Sequence, residues 1–111
     1  MSAGRLCHNM DNFITPPKHI NFKAKKLFGA METIIDGSIA YVDLSGGGPT
    51  EQHTHEHNHL FIVTQGEAKI KLADSEVVVK KDEAFLVEGN IPHSVWNNIE
   101  SETVMIGISV K

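Results

Sequence analysis

The chain has 111 residues, with 10 Lys and Arg against 14 Asp and Glu, for a formal charge of −4. That length supports one hydrophobic core and not two domains, and the acidic balance argues against a nucleic-acid partner. The longest apolar runs, such as Leu60–Val63 and Ala84–Val87, have four residues and cannot cross a membrane, while Cys7, the sole cysteine, excludes an intrachain disulfide and a cysteine-built zinc site.

Residues 1–17 are polar and irregular, and are expected to form an N-terminal arm. No apolar stretch there has secretory length, so a cytoplasmic location is expected. Cys7 reads as an ordinary thiol, and His8 and His19 as surface residues. Residues 18–111 are expected to form one domain. Ala24, Leu27, Phe28 and Met31 fit a helical spacing, but Gly29 interrupts a run that is already short, and a strand is favoured. Ile34-Ile35, Ser38–Leu44, Leu60–Thr64, Glu76–Val79, Glu83–Val87 and Ser94–Trp96 are further strand candidates. Glu67–Leu72 alternates strictly, with Ala68, Ile70 and Leu72 on one face. Val104, Ile106, Ile108 and Val110 share a face near the C-terminus. Turn formers separate these segments: Asp36-Gly37, Gly46-Gly47-Gly48-Pro49, Gln65-Gly66, Asp74-Ser75, Glu88-Gly89-Asn90 and Asn97-Asn98. Gly46–Gly48 lacks a following Lys-Ser/Thr and a helix, so it reads as a turn into the next strand and not as a phosphate loop. Some eight short strands imply an all-β sandwich or barrel.

Four of the seven histidines fall within seven residues: His53, His55, His57 and His59. Residues two apart on a strand point to the same side, so His53 and His55 can reach one ion. A straight strand would carry His59 about 20 Å beyond His53. A bend at Glu56-His57-Asn58 would instead return His59 toward the pair and leave His57 in water. The competing reading is a solvated histidine-rich loop with no site.

Here the sequence resembles the cupin superfamily. Its first motif is matched at every spacing by Gly47, five residues, His53-Thr54-His55, three residues, His59, six residues and Gly66. His59 stands where most cupins have Glu, a substitution shared by small cupins with four-histidine metal sites. The second motif is matched by His93 and Asn97. Asp82, Glu88 and Asn90 occupy its Gly, Pro and Gly positions, where Asn90 tolerates positive φ and Gly89 could take the tight turn instead.

The resemblance implies a single-domain double-stranded β-helix, a jelly-roll barrel. It also implies one divalent transition metal per chain (Zn, Fe, Mn, Ni or Cu) held by His53, His55, His59 and His93. Imidazole nitrogens suit most of these ions. An octahedral ion would keep positions open, whereas a tetrahedral zinc would be closed. Four neutral ligands leave the ion's charge uncompensated, which favours an anionic chelating ligand. Phe61 and Val63 share the parity of His59, and Val95 and Asn97 that of His93, so these four are expected to line the pocket. For Phe61, Val63 and Val95 the alternative is ordinary core. Glu51, Glu56 and Tyr41 are candidate proton carriers, although nothing in the sequence places them inside the barrel. Leu60, Ile62 and Trp96, on the opposite parity, imply cover by a second subunit, hence a homodimer, or by the chain's own N-terminal strand. The functional expectation is a metal-dependent enzyme of dioxygenase, isomerase, cyclase or lyase type acting on a small anionic organic molecule. The alternative is a non-catalytic module that senses or binds a small ligand or metal.

Overall fold

Eight strands make up most of residues 13–111, the part of the chain described by this computed structural model. They are β1 (Ile20–Phe28), β2 (Ile34–His53), β3 (Asn58–Gln65), β4 (Glu67–Leu72), β5 (Glu76–Lys80), β6 (Ala84–Val87), β7 (His93–Asn97) and β8 (Thr103–Val110). The hydrogen-bonded order is β5-β4-β7-β2-β8-β3-β6, with β1 on β2. All pairs are antiparallel. The two ends of this order, β5 and β6, pack together and nearly close the barrel. No described helix is long and apolar enough to cross a membrane. Cys7 and His8 lie outside the described residues.

Strand alternation builds the core as the sequence implies. Ala68 and Ile70 are buried, and Leu72 packs against them. Val42, Val63, Val87 and Thr103 are fully buried beside Ile70. β1 forms where the ambiguous segment favoured a strand. Ile14 pairs with Ala24 through bonds of 2.9 and 2.8 Å, which holds the end of the expected arm against β1.

One expectation is corrected. The expected breaks at Asp36-Gly37 and Gly46–Pro49 do not end strands, because β2 runs unbroken for 20 residues. Its first half pairs with β8 and its second half with β7, so β2 passes from one side of the barrel to the other. Glycine is what permits the passage: a Cβ on Gly47 would lie 2.5 Å from the Trp96 indole. On β8 the inward face is the one left out of the apolar row. Met105 pairs with the core residues Ala40 and Val63, so Thr103, Met105, Gly107 and Ser109 face in. Val104, Ile106, Ile108 and Val110 take the opposite face, beside Ile39, Tyr41, Leu60 and Ile62, where Val104 is itself buried. The apolar face is the outer one because the inner face lines a cavity.

Leu60 and Ile62 do not share a surface with Trp96. The first two lie on the β2-β8-β3-β6 side. Trp96 lies between Gly47 and Lys69 on the β2-β7-β4-β5 side. β1 extends the β2 edge and does not cross over Leu60 and Ile62.

Candidate metal centre

His53 ends β2 and stands directly opposite His93, which begins β7. His55 follows two residues later, its ring centroid 4.4 Å from that of His53. One nitrogen from each of His53, His55 and His93 lies within 4.8 Å of the others. Neighbouring loops hold this arrangement. The amide of Asn90 donates to the His55 carbonyl at 2.6 Å, and the amide of Gly89 donates to Asn58 Oδ1 at 2.9 Å. A Cβ on Gly89 would strike the Glu56 carbonyl at 2.3 Å, so that position must remain glycine for the loops to touch. Asn90, and not Gly89, takes the left-handed conformation at φ 67°, and Asp82 does the same at φ 68°. Two non-glycine residues thus supply the backbone that the motif normally assigns to glycine, at a modest conformational cost.

His93 is oriented from behind. Its Nδ1 donates to the Ile91 carbonyl at 2.8 Å, which leaves the Nε2 lone pair of the neutral ring for a ligand role. Burial, reinforced by the neighbouring imidazoles, holds His53 and His55 below the usual histidine pKa. Burial first, and then His93, His55, His57 and His53, depress His59 to about 3. His53, His55 and His59 are therefore held toward the neutral form, the one that metal ions require.

The bend at Glu56-His57 brings His59 back on β3, opposite Ser109 and Val87. Its ring centroid is 6.3 Å from His55 and 6.0 Å from His93, outside the three-nitrogen group but facing it. The buried Nδ1 has no hydrogen-bond partner among the described residues. Such an orphaned polar atom is costly unless something else satisfies it. A fourth metal-directed imidazole fits that observation.

His57 is not in open water, as the bend alone implied. It stacks on His55 with centroids 4.7 Å apart and lines the cavity. His19 is likewise no mere surface residue, because it forms part of the cavity wall. A proline within the two residues before it, as before His93, was the available sequence signal.

The cavity has a volume of about 370 Å³. Phe61 and Val95 line it and also belong to the core. Val63 lies deeper, fully buried. Asn97 is placed elsewhere: its amide donates to the carbonyls of Val42, Asp43 and Ser101, and its Oδ1 accepts from Thr103 Oγ1 at 2.8 Å. That side chain ties β7 to the start of β8. Asp36, Ser38 and Ser109 join the cavity wall, which the sequence reading missed. Among the proton-carrier candidates, exposed Glu51 pairs with Lys18 at 3.0 Å, exposed Glu56 stays at the bend, and Tyr41 lies on the outer face, 37% exposed.

Comparison with known proteins agrees with this architecture. The fission yeast Schizosaccharomyces pombe Cnp3 cupin domain superposes with a TM-score of 0.75 at 15% identity, covering 92% of this chain and 69% of that one. A protein from Photorhabdus luminescens gives 0.75 at 22% identity, covering 100% and 89%. KdgF from Halomonas sp. gives 0.69 at 17% identity, covering 91% and 89%. No curated protein sequence matches significantly. The cupin domain family model, however, matches residues 40–110, from the core of β2 to the last residue of β8 and through every histidine of the cluster. The chain belongs to the cupin family.

Proposed function

We propose that the chain is a metal-dependent cupin that binds one divalent transition ion through His53, His55, His59 and His93. We further propose that it acts there on a small anionic organic molecule, with chemistry of the dioxygenase, isomerase, cyclase or lyase type. The observation that carries this reading is the convergence of three imidazole nitrogens within 4.8 Å at the wall of a 370 Å³ cavity. Bound there, such an ion would supply Lewis acidity toward an oxygen anion of the ligand.

The chain's own residues have separable tasks. His93, fixed by the Ile91 carbonyl, presents Nε2 in one orientation. Phe61, Val95 and Met105 exclude water from one side of the cavity. None of the proposed ligands carries a negative charge, so the site favours an anion. Elemental analysis of purified protein, followed by titration of its cobalt(II) form with carboxylates, diketones and catechols, tests the reading. Saturating shifts at about one ligand per metal support it, and a spectrum indifferent to every ligand rejects an open centre.

A non-catalytic binding role is the second reading. It is favoured by the scarcity of acids: among the described residues the one carboxylate in the cavity wall is Asp36, which stands 3.8 Å from Lys26. Recovery of every bound ligand unchanged, in air and under nitrogen, would select this reading.

The outer face also supports assembly as a homodimer. Leu86 is 45% and Tyr41 37% exposed there, beside half-buried Leu60, Ile62, Ile106 and Ile108. An apolar sheet face of that extent favours cover by a second copy.

A further inference from the structure

We propose that His19 is a ligand-binding residue of the cavity and accepts a hydrogen bond from a hydroxyl of the metal-bound molecule. This inference rests on the proposed metal-centred site and specifies the ligand class: a chelating anion that carries an additional hydroxyl.

The position of His19 is fixed from several sides. Its Nδ1 lies 2.8 Å from the Pro17 carbonyl, and its ring packs edge-on against Phe22 at 4.5 Å. The preceding residue is tied to β2 twice, by the Thr50 amide on the Lys18 carbonyl at 2.9 Å and by the Lys18–Glu51 ion pair at 3.0 Å. Gly48 makes room for the imidazole, since a Cβ there would come within 2.8 Å of His19 Cγ. A side chain merely resting on the surface would need none of these arrangements.

The tautomer follows from the partner. A carbonyl oxygen can only accept, so Nδ1 carries the hydrogen, and in the neutral ring Nε2 keeps the lone pair. Among the described residues Nε2 makes no hydrogen bond, while the ring lines the cavity that holds His53, His55 and His93. This is the orientation device seen at His93, where Nδ1 is bound to the carbonyl two residues upstream. His19 lies outside the three-nitrogen group. It shares the cavity wall with that group, so its unpaired acceptor is available to a ligand bound at the proposed metal centre. Next to His19 the wall is formed by Phe22 and Gly48, which offer no side-chain acceptor, so a ligand hydroxyl placed there depends on the imidazole and without it loses its hydration for nothing.

The test uses cobalt(II)-loaded protein at pH 8 under nitrogen, titrated with catechol against pyrogallol and with lactate against glycerate. Members of each pair share a chelating group and differ by one hydroxyl. Wild type is expected to bind the richer member of at least one pair roughly three- to tenfold more tightly, the size of one net hydrogen bond. In His19→Phe, which keeps a ring against Phe22, that ratio should fall to about one, with cobalt content and affinity for the poorer member unchanged. His19→Gln, whose amide oxygen can accept, should recover part of the ratio. Should His19→Phe fail to fold, His19→Leu is read in the same way. A ratio preserved without the imidazole overturns the proposal, as does a ratio of about one for both pairs in wild type. In either case, binding of cobalt and the simpler chelators leaves the metal centre standing. Failure of wild type to hold cobalt or to respond to any chelator overturns both.

Discussion

His53 and His93 face each other across the β2–β7 pairing, with ring centroids 5.3 Å apart. A directly opposed pair at strand ends needs little rearrangement to share an ion, and His55 completes three nitrogens. Alanine at His53, His55 or His93 is therefore expected to remove most of the metal from protein purified at about one ion per chain. His57→Ala should keep it, because His57 stacks on His55 but lies outside the three-nitrogen group. Elemental analysis of the four variants checks this, and a loss in His57→Ala equal to that in His55→Ala would mean the ligand set is misassigned.

The fourth imidazole is tested through its neighbour. A Cβ on Gly107 would sit 3.0 Å from His59 Nε2. Gly107→Ala should displace that ring and alter the cobalt(II) ligand-field spectrum in the same sense as His59→Ala, while the metal stays bound to the other three. Identical spectra for wild type and both variants would remove His59 from the coordination shell.

Asn97 shows how far a family motif can be read from sequence. Parity with His93 placed it in the pocket, but its amide is consumed by the Val42, Asp43 and Ser101 carbonyls. Asn97→Ala should cost about 1–2 kcal/mol of stability, chiefly by stranding the part-buried Val42 carbonyl, since the Asp43 and Ser101 partners are exposed, with metal content per folded chain unchanged. Denaturant unfolding and elemental analysis together check it.

The pH dependence of the metal-free protein follows from His59. Its ring titrates at about 3 when folded, against 6.5 in its unperturbed state, because burial opposes the charged form. The unfolded chain binds the extra proton between those values, so stability is fully present above pH 6.5 and declines as pH falls toward 3. His53 and His55 add slope in the same direction. His59→Leu should flatten the decline and leave the protein at pH 7 as stable as wild type or more so, since it removes a buried polar atom without a partner. Thermal melts of chelator-treated protein from pH 8 to 4 check both statements.

Assembly is tested by light scattering, which should give about twice the chain mass of 12.2 kDa. Ile62→Glu, on the outer face, should produce monomers with metal content unchanged. A wild-type monomer would overturn the dimer.

The all-β class, the strand that favours Ala68 and Ile70 inward and the His53-Thr54-His55 pair were legible because period-two alternation is a local property. The histidine at position 93 was legible only through motif spacing. What escaped were features set by distant contacts. The unbroken course of β2 through Gly46–Gly48 depends on Trp96 lying over Gly47, which no local window contains. The cavity role of His19 depends on the start of β1 reaching the second half of β2, where Ile20 pairs with Gly47. Which face of β8 points inward was not legible, for a chemical reason: its apolar row faces out, and its small and polar row faces the cavity.

That inward row has a consequence for how such a barrel could change its ligand. Ala24, Ser38, Ala40, Gly107 and Ser109 all border the cavity, and each is among the smallest side chains available. The space is carved by what these strands omit and not by any large residue held back. Each added methylene at Ser38 would fill cavity volume directly, whereas Ala40 also belongs to the packed core with Val42, Val63 and Ile70, so growth there would press on that layer as well. In the proposed reading, ligand size and metal chemistry would thereby be encoded on different residues, and the first could drift while the second stays fixed.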